Sequence, residues 1–426
     1  MSLRKRAVTA ALAMVLAPAA WATNGYFAHG YGMKAKGMGG VGIALPQDAM
    51  AAATNPAGMV MVGDRLDAGV DLFVPKRSSE IVGNMGGLSG SYDGNGDKSF
   101  LVPEFGYNKM LGWNMAVGVS VYGNGGMNSR YNSSPFAAGG LGFFGGQNPG
   151  GVNLEQLFIA PTFSMKLNKD HALGASLVLA HQRFGATGLQ AFSGFSMYPG
   201  DVTNRGNDTT TGWGVRLGWT GQVSDNVTLG ATYASKVKGK FDAYRGLFAE
   251  EGRFDIPENY GIGIAVKATP QLTVAADLQQ INYGKIKAIA NTVDCMLAMS
   301  CALGASNGPG FGWRDMTVFK LGFSYEHSRN LVLRAGFSTT RQPIPNGQTF
   351  FNILAPGVVE NHLTLGGTWT LDNRNELTVG YMHAFSKSVN GAGSISGGLG
   401  GMLGGGEANL RMKEDSIGIA YGIKFQ

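Results

Sequence analysis

Charge is scarce in this chain. Only 15% of its 426 residues are charged, against roughly 25% in ordinary soluble domains, so a water-facing surface all round is a poor fit. Two cysteines, Cys295 and Cys301, are too few for a disulfide scaffold or a four-thiolate metal site. The histidines are scattered at 29, 171, 181, 327, 362 and 383 with no metal-ligand spacing. A Ser-His-acid site assembled from distant strands is conceivable chemistry, but no spacing marks one. Beyond the opening segment no run of 18 apolar residues occurs, which argues against a membrane-spanning helix. Glycine is abundant, at 68 residues, yet lacks the G-x-y period of collagen. There is no long charged or proline-rich linker, no basic aromatic stripe for nucleic acid, and no convincing ATP motif.

What is present starts with an export signal. Arg4, Lys5 and Arg6 precede an apolar run, Ala7 to Leu16, and Ala20 and Ala22 occupy the small positions of a cleavage site. The run is short for a bilayer anchor. Residues 1–22 are therefore read as a removed signal peptide and Thr23 as the start of the mature chain. Loss of three basic residues lowers the formal charge from +6 to +3, a balance that favours no class of partner.

The next stretch, GMGGVGIALPQDAMAAATNPAGM, fits G-x-G-x-x-G at Gly37, Gly39 and Gly42. A dinucleotide loop needs a hydrophobic strand before it and a helix after it. NGYFAHGYGMKAK is no such strand, and an exported chain meets little nicotinamide cofactor, so no cofactor is expected.

From Leu66 onward period two dominates. WGVRLGWT puts Trp213, Val215, Leu217 and Trp219 on one face and Gly214, Arg216, Gly218 and Thr220 on the other; VTLGATYAS, ELTVGYMHAF and SIGIAYGIKFQ repeat the pattern. Such alternation is that of a strand, whereas a helix requires recurrence at three and four. Fourteen segments follow: 66–75, 98–109, 112–122, 155–167, 171–184, 211–221, 226–238, 258–268, 271–284, 314–325, 328–340, 359–370, 374–386 and 413–426. Brief turns and long glycine-rich loops join them alternately. Segments of about ten residues cross a bilayer when tilted, and an even number closes a barrel that leaves no backbone group unpaired in hydrocarbon. A secreted sandwich or β-helix also alternates, but with shorter strands. The expected fold is all-β, a fourteen-stranded antiparallel transmembrane barrel. Trp113, Trp213, Trp219, Trp369, Tyr325 and Phe425 fall near strand ends, where aromatic girdles belong.

With its signal peptide, the GMGGVGIAL run, Asp48, the tripeptide Asn55-Pro56-Ala57 before the first strand and the fourteen segments, the chain resembles the FadL family of outer-membrane transporters for long-chain fatty acids and other hydrophobic compounds, including its aromatic-hydrocarbon branch. The resemblance covers essentially the mature chain. It departs at the end, where Gln426 follows the terminal aromatic Phe425. It implies residence in the bacterial outer membrane, contact with its lipid and lipopolysaccharide, insertion by the outer-membrane assembly machinery, and a monomer. It also implies that residues 23–65 fold back as a hatch inside the barrel of residues 66–426. Gly37, Gly39, Gly40 and Gly42 permit close packing in a narrow lumen, and Pro56 ends or redirects a local helix.

The expected function is passive uptake of hydrophobic small molecules, fatty acids or related lipophilic compounds. Neutral aromatic hydrocarbons are the alternative substrate, and a structural or adhesive barrel the competing class. Capture falls to apolar loops, with Phe143, Phe144, Tyr244, Leu247 and Phe248 the candidates, although the same side chains would serve to pack loops on the rim. The analogous route passes a lumen pocket touched by Tyr26, Phe27, Met33 and Met38, then a lateral opening at a kink in strand three, near Asn114, Gly118 and Ser120. Arg216, Lys320 and Arg334 on the luminal parity are candidates for a fatty carboxylate, or for pairing with Asp67, Asp71 or Asp277. Cys295 and Cys301 lie in one external loop of an exported chain, where a disulfide is expected.

Overall fold

The structure, a computed structural model, describes residues 24–137, 146–395 and 403–425. The signal peptide, Phe143 and Phe144 lie outside them. Fourteen strands form the wall: β1 (Arg65–Val82), β2 (Phe100–Met110), β3 (Met115–Tyr131), β4 (Gly150–Lys166), β5 (His171–Thr187), β6 (Asp208–Ser224), β7 (Val227–Ala234), β8 (Asn259–Lys267), β9 (Leu272–Ile281), β10 (Met316–Ser328), β11 (Leu331–Thr340), β12 (Asn361–Thr370), β13 (Asn375–Val389) and β14 (Glu407–Lys424). Each pairs antiparallel with the next, and β14 returns to β1 through a ladder from Arg65↔Lys424 to Val82↔Glu407, closing the barrel. A short strand, Gly90–Asp93, adds to β1 at Ser78–Ile81. No helix among the described residues is long and apolar enough to cross a membrane; the strands do that.

Alternation explains the wall. On β6, Trp213, Val215 and Leu217 are exposed, while Gly214, Arg216 and Gly218 between them are buried toward the lumen. The same apolar outer face appears at Leu363 and Leu365 on β12 and at Ile417 and Ile419 on β14. Serine, threonine and carboxylate side chains turn inward, among them Ser120, Ser164, Thr364, Glu104 and Asp277. Lipid outside and a polar lumen impose this division, since unpaired backbone groups are not tolerated in hydrocarbon.

Several strands outrun the alternating segments at their loop ends. β1 continues to Val82, β3 to Tyr131, and β14 starts at Glu407. Above the hydrocarbon the outer face no longer needs to be apolar, so pairing persists after the pattern has stopped. β7, by contrast, ends at Ala234, before Ser235 bonds Val215 through its hydroxyl. The chain ahead of β1 lies within the barrel, where it packs against β4, β5 and β6 through a 3-10 turn at Pro56–Met61 and against β12 and β13 through a helical turn at Met33–Lys36.

Candidate functional site

The glycine-rich segment is a contact surface between two backbones. Gly39 and Gly40 have φ of +72° and +76°, a conformation that side chains disfavour. A Cβ on Gly336 of β11 would stand 2.1 Å from the Gly39 nitrogen, so hatch and wall approach only because both lack side chains there. Gly37 meets Gly366 of β12 in the same way. Gly42 donates its N–H to Asp277 Oδ2 at 2.8 Å, and the Ile43 N–H reaches the same oxygen at 3.1 Å.

Asn55 is the staple. Its amide nitrogen donates to the Ile43 carbonyl at 2.7 Å and to the Trp219 carbonyl of β6 at 2.9 Å, while its Oδ1 accepts the Ala57 N–H at 3.1 Å. It thereby caps the turn that Pro56 opens and ties that turn to the wall. Asp48 caps Met50 at 3.0 Å. Burial, followed by the neighbouring Asp67, pushes the Asp48 carboxyl up to about 6. Burial, with His362 beside it, holds His29 well below its ordinary value and therefore neutral.

The luminal charges are taken up by the hatch. Lys34 and Arg65 bond Glu376, Lys36 bonds Asp71, and Arg65 bonds Asp67. Arg216 donates Nη1 to the Ala53 and Thr54 carbonyls, Lys320 Nζ to those of His29 and Gly40 at 3.1 and 3.3 Å, and Arg334 to Gln47 Oε1 and Thr368 Oγ1 at 2.9 and 2.7 Å. These three cations make no direct ion pair with Asp67, Asp71 or Asp277. The sequence could not show that the hatch brings carbonyl oxygens and its own lysines into the lumen.

Residues 24–28 form a fragment of strand. Phe27 bridges Gly125 of β3, the Gly126 N–H donates to the Tyr26 carbonyl at 2.9 Å, and the Ala28 N–H donates to the Asn124 carbonyl at 2.9 Å. The fragment takes the edge of β3 that β2, still paired with β1 as far as Phe100, has left. The β2–β3 ladder stops at Glu104↔Tyr122, whereas the β3–β4 ladder runs on to Tyr131↔Gly150, with a bulge between Gly123 and Gly125. From Tyr122 to Ser129 every residue of β3 is buried, so the in-out alternation ends there. A bulge bends its strand, and here β3 leaves β2 above Tyr122, pairing with the hatch at residues 124–126 and with Gly94 and Gly96 at Arg130. The irregularity lies above the positions picked from sequence: Asn114 sits in the β2–β3 turn, Gly118 faces Met59, and the Ser120 hydroxyl donates to the Ala49 carbonyl at 2.8 Å.

An amide relay supports the bend. The Asn124 side chain donates to Gln156 Oε1 and Gln156 to Gln182 Oε1, both at 2.9 Å, and Tyr31 donates to Asn124 Oδ1 at 3.0 Å. From outside, Tyr283 donates to the Asn24 carbonyl at 2.6 Å and accepts the Tyr26 N–H at 3.2 Å, while Trp313 packs on Tyr283 and bonds Asn352 Oδ1 at 2.6 Å.

One cavity lies beside this N-terminal fragment and another farther out. The outer one lies among the loops and is lined by Val152, Phe184, Leu189, Phe192, Leu247, Phe248, Ala288, Leu303, Pro309, Gly310, Phe311, Phe351 and Leu354, with no charged side chain among the described residues. The inner one is lined by Phe27, Asn124, Phe158, Val178, Val215, Arg216, Val237, Ile256 and Asn259, among others. Leu247 and Phe248 thus line the outer cavity, and Phe27 and Arg216 the inner. Tyr244 packs against Phe184 and bonds the Gly206 carbonyl at 2.5 Å. Tyr26 sits in the aromatic cluster with Tyr283 and Trp313. Met33 and Met38 press on wall glycines Gly418 and Gly322. Sequence reasoning missed Asn124, Gln156, Tyr283 and Trp313; paired amides on the luminal parity were the available signal for the first two. Cys295 and Cys301 are bonded, with Cα atoms 5.3 Å apart, in the loop that contributes Ala288, Leu303 and Phe311 to the outer cavity.

A plugged barrel with an apolar cavity among its outer loops and a mixed one beside the plug's first residues matches one family throughout. Residues 9–425 fit the family described as outer membrane protein transport protein (OMPP1/FadL/TodX). The chain belongs to that family. No curated protein matches its sequence. Among solved structures, a Pseudomonas aeruginosa FadL homologue superposes with a TM-score of 0.70 at 16% identity, covering 94% of this chain and 100% of the other. The P. putida toluene transporter TodX gives 0.65 at 17%, covering 93% and 99%. The Ralstonia pickettii toluene transporter TbuX gives 0.63 at 18%, again covering 93% and 99%. At such identities these likenesses establish the fold. As a FadL-family barrel the protein resides in the outer membrane and carries hydrophobic small molecules across it passively, and its family is one of transporters rather than enzymes. Among the described residues no group of three histidine, cysteine, aspartate or glutamate side chains could hold a metal ion.

Proposed function

We propose that the cargo is a neutral aromatic hydrocarbon or a compound of similar polarity, captured in the outer cavity, passed to the inner one beside Phe27, and released sideways through the break between β2 and β3. The carrying observation is the absence of any charged side chain among the described residues around the outer cavity, together with the commitment of Lys320 and Arg334 to the hatch. A fatty carboxylate entering such a cavity would lose hydration with no cation to replace it. An alkylbenzene incurs no such cost, and Phe184, Phe192, Phe248, Phe311 and Phe351 line the cavity that receives it. The printed names of TodX and TbuX as toluene transporters agree with this reading.

One observation favours a fatty acid: Arg216 lines the inner cavity with its Nε buried and unpartnered. Uptake of a radiolabelled alkylbenzene and a long-chain fatty acid, measured in a deletion strain with and without the restored gene, separates the two. Restoration is expected to accelerate the alkylbenzene most. Protein-dependent uptake of the fatty acid alone, lost in Arg216→Ala, would overturn the neutral reading. If neither compound depends on the protein, both substrate classes are wrong.

A further inference from the structure

The outer wall carries a cluster of three cations without direct ion-pair partners among the described residues at the seam of the barrel. Along β1 the outward positions Leu66, Ala68, Val70, Leu72 and Val74 are apolar, and their partners on β14 are Ile423, Tyr421, Ile419, Ile417 and Asp415. The next rung up pairs Lys76 with Lys413, and the one above pairs Ser78 with Arg411. Two lysines directly opposite across an antiparallel pair repel. Neither makes an ion pair or hydrogen bond with a described residue, and Arg411 bonds only the Ser386 hydroxyl, at 3.0 Å. Nearby carboxylates make no direct ion pair with them, although Asp415 feels the charge of Lys413 and Asp93, which accepts from Asn95 at 2.9 Å, lies opposite Ser78 on the short strand. Asp415 accepts from Tyr381 at 2.7 Å and from His383 at 2.8 Å, Glu360 is taken by Lys387 at 2.6 Å, and Glu80 lies opposite Asn409, a rung beyond Arg411.

Position supplies the rest. These cations stand where the apolar band ends on the long-loop side, beside exposed Phe385 and Tyr381, which is the level of outer-leaflet headgroups. We propose that Lys76, Lys413 and Arg411 form a binding site for a phosphate of the glycolipid headgroup in the outer leaflet, the acyl chains lying down the face of Leu72, Ile417 and Ile419. A phosphate placed between the lysines converts their mutual repulsion into two charge-assisted contacts, with Arg411 above to supply a planar donor fork. The site is independent of the cargo, so its failure would leave the transport reading untouched.

The test uses the mature protein folded in detergent, with bisphosphorylated lipid A as probe and native mass spectrometry to count retained lipid. Lys76→Gln with Lys413→Gln is expected to lower retention at least tenfold while preserving heat-modifiable gel mobility, because the change relieves repulsion. Lys76→Glu, which answers Lys413 internally, is expected to lower it as far. Dephosphorylated lipid A is expected to be retained weakly by all forms. Equal retention by wild type and variants, equal retention of the dephosphorylated lipid, or displacement of lipid A by millimolar inorganic phosphate would each overturn the proposal.

Discussion

Replacing Asn55 by alanine removes three hydrogen bonds at once. The side chain joins Ile43 in the hatch, Trp219 in the wall and Ala57 in its own turn, and Asn55 itself is 1% exposed, so water cannot take its place without a rearrangement. Each bond contributes about 1 kcal/mol net, and a buried partner left unpaired costs about 1–3 kcal/mol. Allowing for relaxation, local opening of the hatch should become easier by about 2–4 kcal/mol, which is roughly a 30- to 700-fold loss of amide protection. The wall ladders do not involve this side chain, so the loss should be confined to residues 43–61. Hydrogen exchange read by mass spectrometry on detergent-folded protein measures it. Protection of that segment unchanged within about threefold, in a variant that keeps heat-modifiable mobility, would refute the claim that Asn55 holds the hatch to β6.

Gly336→Ala places a methyl group against the Gly39 nitrogen, and overpacking of that kind costs about 1–3 kcal/mol; exchange at 37–42 should rise while the barrel stays closed. Asp48 titrates near 6 in the fold instead of 3.8, so the fold favours its protonated form. Hatch stability is then full below about 3.8 and falls as pH rises through about 6, seen as declining protection of 48–57 after correction for intrinsic rates and absent in Asp48→Asn. Tyr283→Phe removes the hydroxyl that holds Asn24 and Tyr26 and should loosen 24–28 by about 1–3 kcal/mol, read by the same exchange. Ala288→Trp fills the outer cavity and should raise the concentration for half-maximal uptake of the neutral ligand without changing the amount of folded protein.

Much of the wall was legible because lipid writes its demand on every second residue: WGVRLGWT gives β6, and SIGIAYGIKFQ gives the membrane half of β14. The upper half of β3 was not legible. Gly123, Asn124, Gly125 and Gly126 carry no alternation, since both of their faces are covered by protein. Arg216, Lys320 and Arg334 fall on the buried parity of their strands, yet their partners depend on contacts such as Lys320 with His29, 291 residues apart, which no local pattern encodes. Asn55 is marked in the sequence only by the tripeptide Asn55-Pro56-Ala57, whereas its cap on Ala57 and its bond to Trp219 emerge from the fold. Tyr283 and Trp313 sit in a long loop without periodicity, so nothing ahead of the structure singled them out as the clasp on the N-terminal fragment.

The central claim is that cargo leaves through the wall where β3 parts from β2. Deleting Asn124, the extra residue between Gly123 and Gly125, should straighten β3 and let its upper half take β2 as partner. Uptake of a radiolabelled alkylbenzene by cells carrying the deletion, at matched surface level and with folding confirmed by gel mobility, tests this directly. The account predicts that protein-dependent uptake is lost while the barrel remains folded. Uptake at the intact rate through a folded, straightened barrel would contradict it.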